Sequence, residues 1–195
     1  MKSGEWKTIS SERKFANANL EVVVDRVKTP ARSEPRMWTI AHRKAAVVIA
    51  PMTRDGKIVL IHQERIPIEQ AIWEMPSGQI DDHTADEKQI KEAALRELRE
   101  ETGQELALDG QLISLGHYFS SPGFTDECGH LFLARSVQQC QEGPHYDEGE
   151  SILDCREFAV EEIGRMIADN EICDANTLAT CAKLAARGLL SLGPC

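Results

Sequence analysis

Two hydrophobic periods divide the chain. Residues 20–27 are apolar and β-branched, and residues 37–42 form a second extended stretch beyond Pro30 and Pro35, so both predict strands. Residues 45–50 run apolar without a break, as a strand buried on both faces does. Asp55-Gly56 then supplies a tight turn into the apolar residues 58–62, which predicts a hairpin. The period changes at Thr84-Ala85-Asp86-Glu87, a capping box with Thr84 as N-cap and Glu87 reaching back. Good helix formers continue to Glu101, and Thr102-Gly103 supplies the stop, with Gly103 suited to a left-handed position. Strands are expected again at 112–119 and 130–134, then helices at 160–169 and 176–190. Strands, a central helix, more strands and closing helices predict an α/β domain with a mixed sheet. No repeat, low-complexity tract or linker interrupts it.

Composition narrows the function. The 195 residues are enough for one ordinary domain, and 42% hydrophobic with 28% charged residues excludes a disordered chain. No apolar run approaches the ~20 residues that span a bilayer, and the first residues lack a signal-peptide core, so a cytoplasmic location is expected. Lys and Arg total 22 against 32 Asp and Glu, a formal net charge of −10. Such a surface repels nucleic-acid polymers, while a small phosphorylated substrate is acceptable if a metal ion screens it. Cys128, Cys140, Cys155, Cys173, Cys181 and Cys195 show neither a CxxC pair nor zinc-like spacing and are expected to be reduced thiols.

Chemistry concentrates in Arg96-Glu97-Leu98-Arg99-Glu100-Glu101-Thr102-Gly103. At about 100° per residue, Glu101 lies roughly 40° to one side of Glu97 and Glu100 roughly 60° to the other. Three carboxylates thus crowd one side of a helix near its C-terminus, with Leu95 and Leu98 toward the other flank. Like charges at i,i+4 cost roughly 0.2–0.5 kcal/mol, and acids at this end oppose the helix dipole. A hard divalent cation turns that cost into a binding site, because Mg²⁺ takes carboxylate oxygens and leaves positions for phosphate.

The stretch from Gly78 to Gly103 resembles the Nudix box, Gly-x5-Glu-x7-Arg-Glu-U-x-Glu-Glu-x-Gly-U, with U a bulky apolar residue. Arg96, Glu97, Leu98, Glu100, Glu101 and Gly103 match in uninterrupted register, and Glu74-Met75-Pro76-Ser77-Gly78 is similar to the family's E-x-P-A-G lead-in. The resemblance implies a Nudix fold, a mixed β-sheet sandwiched by helices, in which Glu97, Glu100 and Glu101 hold Mg²⁺, or Mn²⁺, and Arg96 orients a glutamate. Gly78 and Arg96 stand 18 positions apart where the family has 14, and Thr84 or Lys88 replaces the first glutamate, a role Glu87 is expected to assume. Gln104 stands where an apolar residue is usual.

Beyond the box the chain resembles the ADP-ribose (ADP-sugar) pyrophosphatase branch. His62-Gln63-Glu64-Arg65 looks like the Q-x-R that sends an arginine, here Arg65, toward the diphosphate. Ser121-Pro122-Gly123 leading to Glu127 is similar to the branch's S-P-G-x-x-x-E loop, and Asp147-Glu148-Gly149-Glu150 to its acidic loop. By that match Glu148 is the general base or positions the water, and Glu150 is a further metal ligand beside the Ser77 carbonyl. Trp6 and Trp38 resemble a pair that sandwiches adenine, one from each subunit of a domain-swapped dimer, and Arg43 matches a substrate-contacting arginine.

The resemblance therefore implies Mg²⁺-dependent hydrolysis of ADP-ribose to AMP and ribose 5-phosphate. Substrate contacts fall to Trp6, Trp38, Arg43, Arg65, Glu74 and Glu127. It implies an N-terminal antiparallel β segment, 1–42, used for dimerisation and base binding, a hydrolase domain over 43–195, and a homodimer without nucleic-acid or membrane partners. Hydrolysis of GDP-mannose, another nucleotide sugar or a damaged nucleotide is the alternative within the class. A Nudix-fold sensor that binds ADP-ribose without cleaving it is the alternative outside it.

Overall fold

A computed structural model describes residues 5–80, 85–146 and 151–191, and the chain divides into two compact units. Met1–Ala45 with Phe119–Cys128 form one; Ala46–Tyr118 with Gly129–Cys195 form the other.

The first unit is built on an antiparallel sheet in the order β1 (Lys7–Ala16), β2 (Leu20–Lys28) and β3 (Arg36–Arg43). Every β1 position is exposed, and its residues show no apolar alternation, so the sequence reading finds no strand there. β2 is the central strand, and its Asp25 pairs in register with Trp38 of β3. The segment after Phe119 returns to β3, where the Ala41 N–H donates to the Phe124 carbonyl at 2.8 Å.

The second unit holds the mixed seven-stranded sheet. Its strands are β4 (Ala46–Thr53), β5 (Ile58–Arg65), β6 (Gln70–Glu74), β7 (Ser77–Gln79), β8 (Gln104–Phe119), β9 (Cys128–Gln139) and β10 (Ile152–Phe158). The order is β10-β5-β4-β9-β8, with β6 paired to β5 and β7 to β4; β4 and β9 are parallel. The Asp55-Gly56 turn joins β4 to β5 as expected, with Gly56 at φ +85°. β8 is longer than predicted because it starts directly after Gly103.

Among the described residues three α-helices cover this sheet: α1 (Glu87–Thr102), α2 (Val160–Ala168) and α3 (Ala175–Ala186). Alternate β4 residues point to opposite faces. Val48 and Ala50 join one core with Ile163 and Met166 of α2 and Leu184 of α3, while Val47 and Ile49 are buried outside that cluster. α1 packs against β4, β5 and β7 and buries Ala94 and Leu98.

The start of α1 differs from the expectation. Thr84 lies outside the described residues, and Asp86 is the N-cap: it accepts from the Gln89 N–H, and the Gln89 side chain reciprocates. Aspartate places a negative charge on the positive end of the helix dipole, which favours it as the cap over the expected, neutral Thr84. Gly103 ends α1 at φ +64°, as expected. Among the described residues no helix is long and apolar enough to cross a membrane.

Candidate functional site

The predicted acids gather where α1 meets the segment between β6 and β7. Glu97 and Glu101, one turn apart, are 5% and 1% exposed, while Glu100 is partly open. Two buried acids on one helix face require compensation, and the lead-in segment supplies part of it. The Ser77 N–H donates to Glu101 Oε2 at 2.7 Å, an interaction strengthened by the acceptor's charge. Gly78 faces Glu97 so closely that a Cβ there would fall 2.0 Å from the Glu97 carboxyl carbon. The missing side chain is thus what admits the carboxylate. Arg96 reaches Glu97 at 2.6 Å and Glu100 at 3.4 Å, fixing both.

Arg65, at the end of β5, lies beside this group. Its Nε and Nη2 donate to the two oxygens of Glu74 at 2.7 and 2.8 Å. Burial pushes the Glu74 carboxyl up despite the arginine. Burial works against the Arg65 guanidinium too, but Glu74, with Glu101 and Asp174 nearby, holds it above its ordinary value. Asp174 is pushed up by burial, against the hydrogen bonds of Thr177.

The predicted Glu148 and Glu150 lie outside the described residues, but both flanks of their segment are tied to the site. The His145 N–H donates to the Glu100 carbonyl at 2.9 Å. On the other side the Ser151 hydroxyl donates to Glu64 Oε2 at 2.5 Å, and the Glu64 N–H to the Ser151 carbonyl at 3.0 Å.

Glu87 does not replace the box's missing glutamate. It stands in the first turn of α1, exposed and paired with Lys91, ten residues or about 15 Å of helix from Glu97. Among the described residues no three His, Cys, Asp or Glu side chains stand gathered as a metal cluster. Glu97 and Glu100 instead turn to Arg96, and Glu101 to Ser77. Carboxylate oxygens are nonetheless the donor type a hard divalent cation takes, and the Gly78 cradle gives the Glu97 carboxylate the room a side chain there would fill.

The other predicted substrate residues lie in the first unit. Trp6 and Trp38 line one groove of about 700 Å³ in the single chain, 71% and 51% exposed. The Trp38 indole N–H donates to the Gly123 carbonyl at 2.9 Å. Asp25, on the same face, is buried in the groove floor, and its Oδ1 has no hydrogen-bond partner. Arg43 pairs with Glu127 at 3.3 Å, and Glu127 also accepts from the Ser120 hydroxyl.

Two groups here, Asp25 and Asp174, escaped the sequence reading. Asp25 and Asp174 each bury an unpartnered oxygen, as does Gln63, two residues before Arg65. A charged residue in the middle of a β-branched strand is the signal that points to Asp25. Among the described residues Cys128, Cys140, Cys155, Cys173 and Cys181 are free thiols, and burial pushes Cys155 up to about 11 and Cys181 up to about 12.

The chain is similar to known proteins over most of its length. The NUDIX domain matches residues 41–181. An ADP-ribose pyrophosphatase of Bacillus subtilis (strain 168) is 33% identical over 177 residues, 91% of each chain. A methanol dehydrogenase activator of Bacillus methanolicus is 34% identical over 89% of each. The crystal structure of an ADP compounds hydrolase shares the fold, with a TM-score of 0.78 over 97% of this chain and 100% of that one, at 17% identity. With most of its length matched by the family and by an ADP-ribose pyrophosphatase, the chain belongs to the Nudix family and is a Nudix hydrolase.

Proposed function

We propose that the substrate is ADP-ribose, cleaved by water at the diphosphate to AMP and ribose 5-phosphate. The observation that carries the reading is the closure of Glu97 and Glu101 of α1 onto Ser77 and Gly78, with Arg65 alongside. Long similarity to an ADP-ribose pyrophosphatase supports the choice of substrate. Glu97, Glu100, Glu101 and Glu150, with the Ser77 carbonyl, would hold Mg²⁺, or Mn²⁺. When bound, such ions would supply Lewis acidity and a water of lowered pKa.

The chain's own groups do the rest. Arg65 offsets charge on the leaving phosphate, Arg96 orients Glu97 and Glu100, and Glu148 accepts the proton of the attacking water. Chemistry of this kind rests on positioning and electrostatics, which clustered acids and an arginine provide.

The same reading places adenine in the groove of the first unit. Indoles such as Trp6 and Trp38 contribute roughly 1–3 kcal/mol of stacking per base. The free oxygen of Asp25 is an acceptor suited to the exocyclic amine, and Arg43 and Glu127 serve the remainder of the nucleotide. We take the working form to be a cytoplasmic homodimer; the exposed Ile9, Phe15 and Met37 of the first sheet favour a second copy there.

The test is hydrolysis of ADP-ribose, ADP-glucose and GDP-mannose with Mg²⁺ or EDTA, beside Glu101→Gln. Metal-dependent cleavage of ADP-ribose that the substitution abolishes is the expected result. Turnover of GDP-mannose alone would discard the adenine assignment, and ADP-ribose binding without turnover would discard the catalytic one.

A further inference from the structure

Thr177 lies in the first turn of α3, fully buried, 102 positions along the chain from the residue it holds. Its Oγ1 accepts the Met75 N–H at 2.8 Å. The donor belongs to the short link between β6 and β7, and a backbone N–H buried there needs a partner. The neighbours of Met75 in that link are each engaged elsewhere. Glu74 grips Arg65, the Pro76 carbonyl accepts from Ile49 at 3.0 Å, and the Ser77 N–H holds Glu101. The link is therefore held by β4 and β5, by α1 and, through Thr177, by α3.

Thr177 is itself held. Its own N–H donates to Asp174 Oδ2 at 2.8 Å, the cap of α3, and its side chain hydrogen-bonds the same carboxylate. Asn176, the residue before it, receives the Tyr118 hydroxyl. The helix start is thus pinned at two residues just ahead of the one that touches the link.

We propose that Thr177 is a positioning residue of the hydrolytic site, holding Met75 so that Ser77 and Gly78 present the Glu97–Glu101 face of α1 to a divalent cation. It touches neither substrate nor metal, and its effect passes through the backbone of the link. The proposal rests on the assignment of those acids as metal ligands.

The test uses the full chain with Thr177→Val, an isostere without the acceptor, Thr177→Ser, which keeps it, and Thr180→Val. Thr180 is the control: equally buried on α3, its hydroxyl donates only to the Asn176 carbonyl of its own helix. The first readout is hydrogen exchange at the Met75 amide in metal-free protein. Thr177→Val is expected to speed it by at least ~10-fold relative to Thr180→Val, with Thr177→Ser near the wild type.

The second readout is binding of Mn²⁺ without substrate. Thr177→Val is expected to weaken it at least ~5-fold, and to lower kcat more than it changes KM, while Thr180→Val changes neither. If Thr177→Val does not fold, Thr177→Cys, with a weaker acceptor, should show the same directions at smaller amplitude. Unchanged exchange at Met75 overturns the proposal. Faster exchange with wild-type Mn²⁺ binding and turnover also overturns it, as does an equal loss in Thr180→Val. Failure of the wild-type protein to bind Mn²⁺ overturns the metal assignment itself, and the proposal with it, even if Met75 is held as described.

Discussion

Arg65 and Glu74 share two parallel hydrogen bonds although their strand register sets them apart: Gln70 stands opposite Arg65, and Ile61 opposite Glu74. The guanidinium therefore reaches back along the hairpin to a carboxylate that is 3% exposed. Removing the arginine leaves that acid buried without its fork. Arg65→Ala should cost about 2–3 kcal/mol in urea unfolding, below the ~3–5 of a fully enclosed pair because the Arg65 side chain is 38% exposed. Arg65→Lys should recover little of the activity, since a lysine cannot reproduce the planar, bidentate contact.

Gly78→Ala should separate activity from stability. The new methyl group would lie 2.0 Å from the Glu97 carboxyl carbon, so the end of the Glu97 side chain must give way. We expect turnover to fall roughly 100-fold, as displacement by about 1 Å at a reacting centre does. The thermal midpoint should move much less than in Arg65→Ala. A variant with wild-type turnover would show that Glu97 works from another position.

Asp25 offers the opposite balance. A buried carboxylate oxygen without a partner is a standing cost of about 1–3 kcal/mol. Asp25→Leu should therefore unfold at higher urea concentration. If the base occupies the groove, the same change should raise KM for ADP-ribose roughly tenfold, the loss of one charge-assisted hydrogen bond. Higher stability with unchanged KM would leave the groove without a nucleotide role.

His130 predicts a pH dependence. Burial, with His117 adding like charge, holds its imidazole below the ordinary value of 6.5. The unfolded chain then binds the proton first, so stability is retained above about pH 6.5 and falls as pH drops toward the lowered folded value. His130→Asn should flatten the decline of the thermal midpoint between about pH 7.5 and 5. An unchanged slope would assign the acid limb to other groups.

What is legible in the residues follows from which forces leave a periodic trace. α1 can be read because its stop at Gly103 and its row of acids are local features. The apolar run that forms β4 can be read because both faces of that strand are buried. β1 leaves no trace, since all ten of its positions face solvent. The partners of the box acids are hidden for another reason. Ser77 meets Glu101 across 24 positions, and Met75 meets Thr177 across 102, and neither pairing imposes a pattern on the intervening sequence. Thr177 stands on a helix of small and apolar residues, where its sequence marks it as part of the helix rather than of the site.

That longest of these contacts orders events during synthesis. A ribosome makes Met75 and the whole of α1 well before residue 177 leaves its exit tunnel, so the nascent chain owns every box acid while the link behind them still lacks its tie to α3. Contacts of such separation form late, because a long loop must close first. Competence would then arrive as one of the last steps of maturation, and a chain clipped ahead of α3 would retain the family signature without the geometry that uses it.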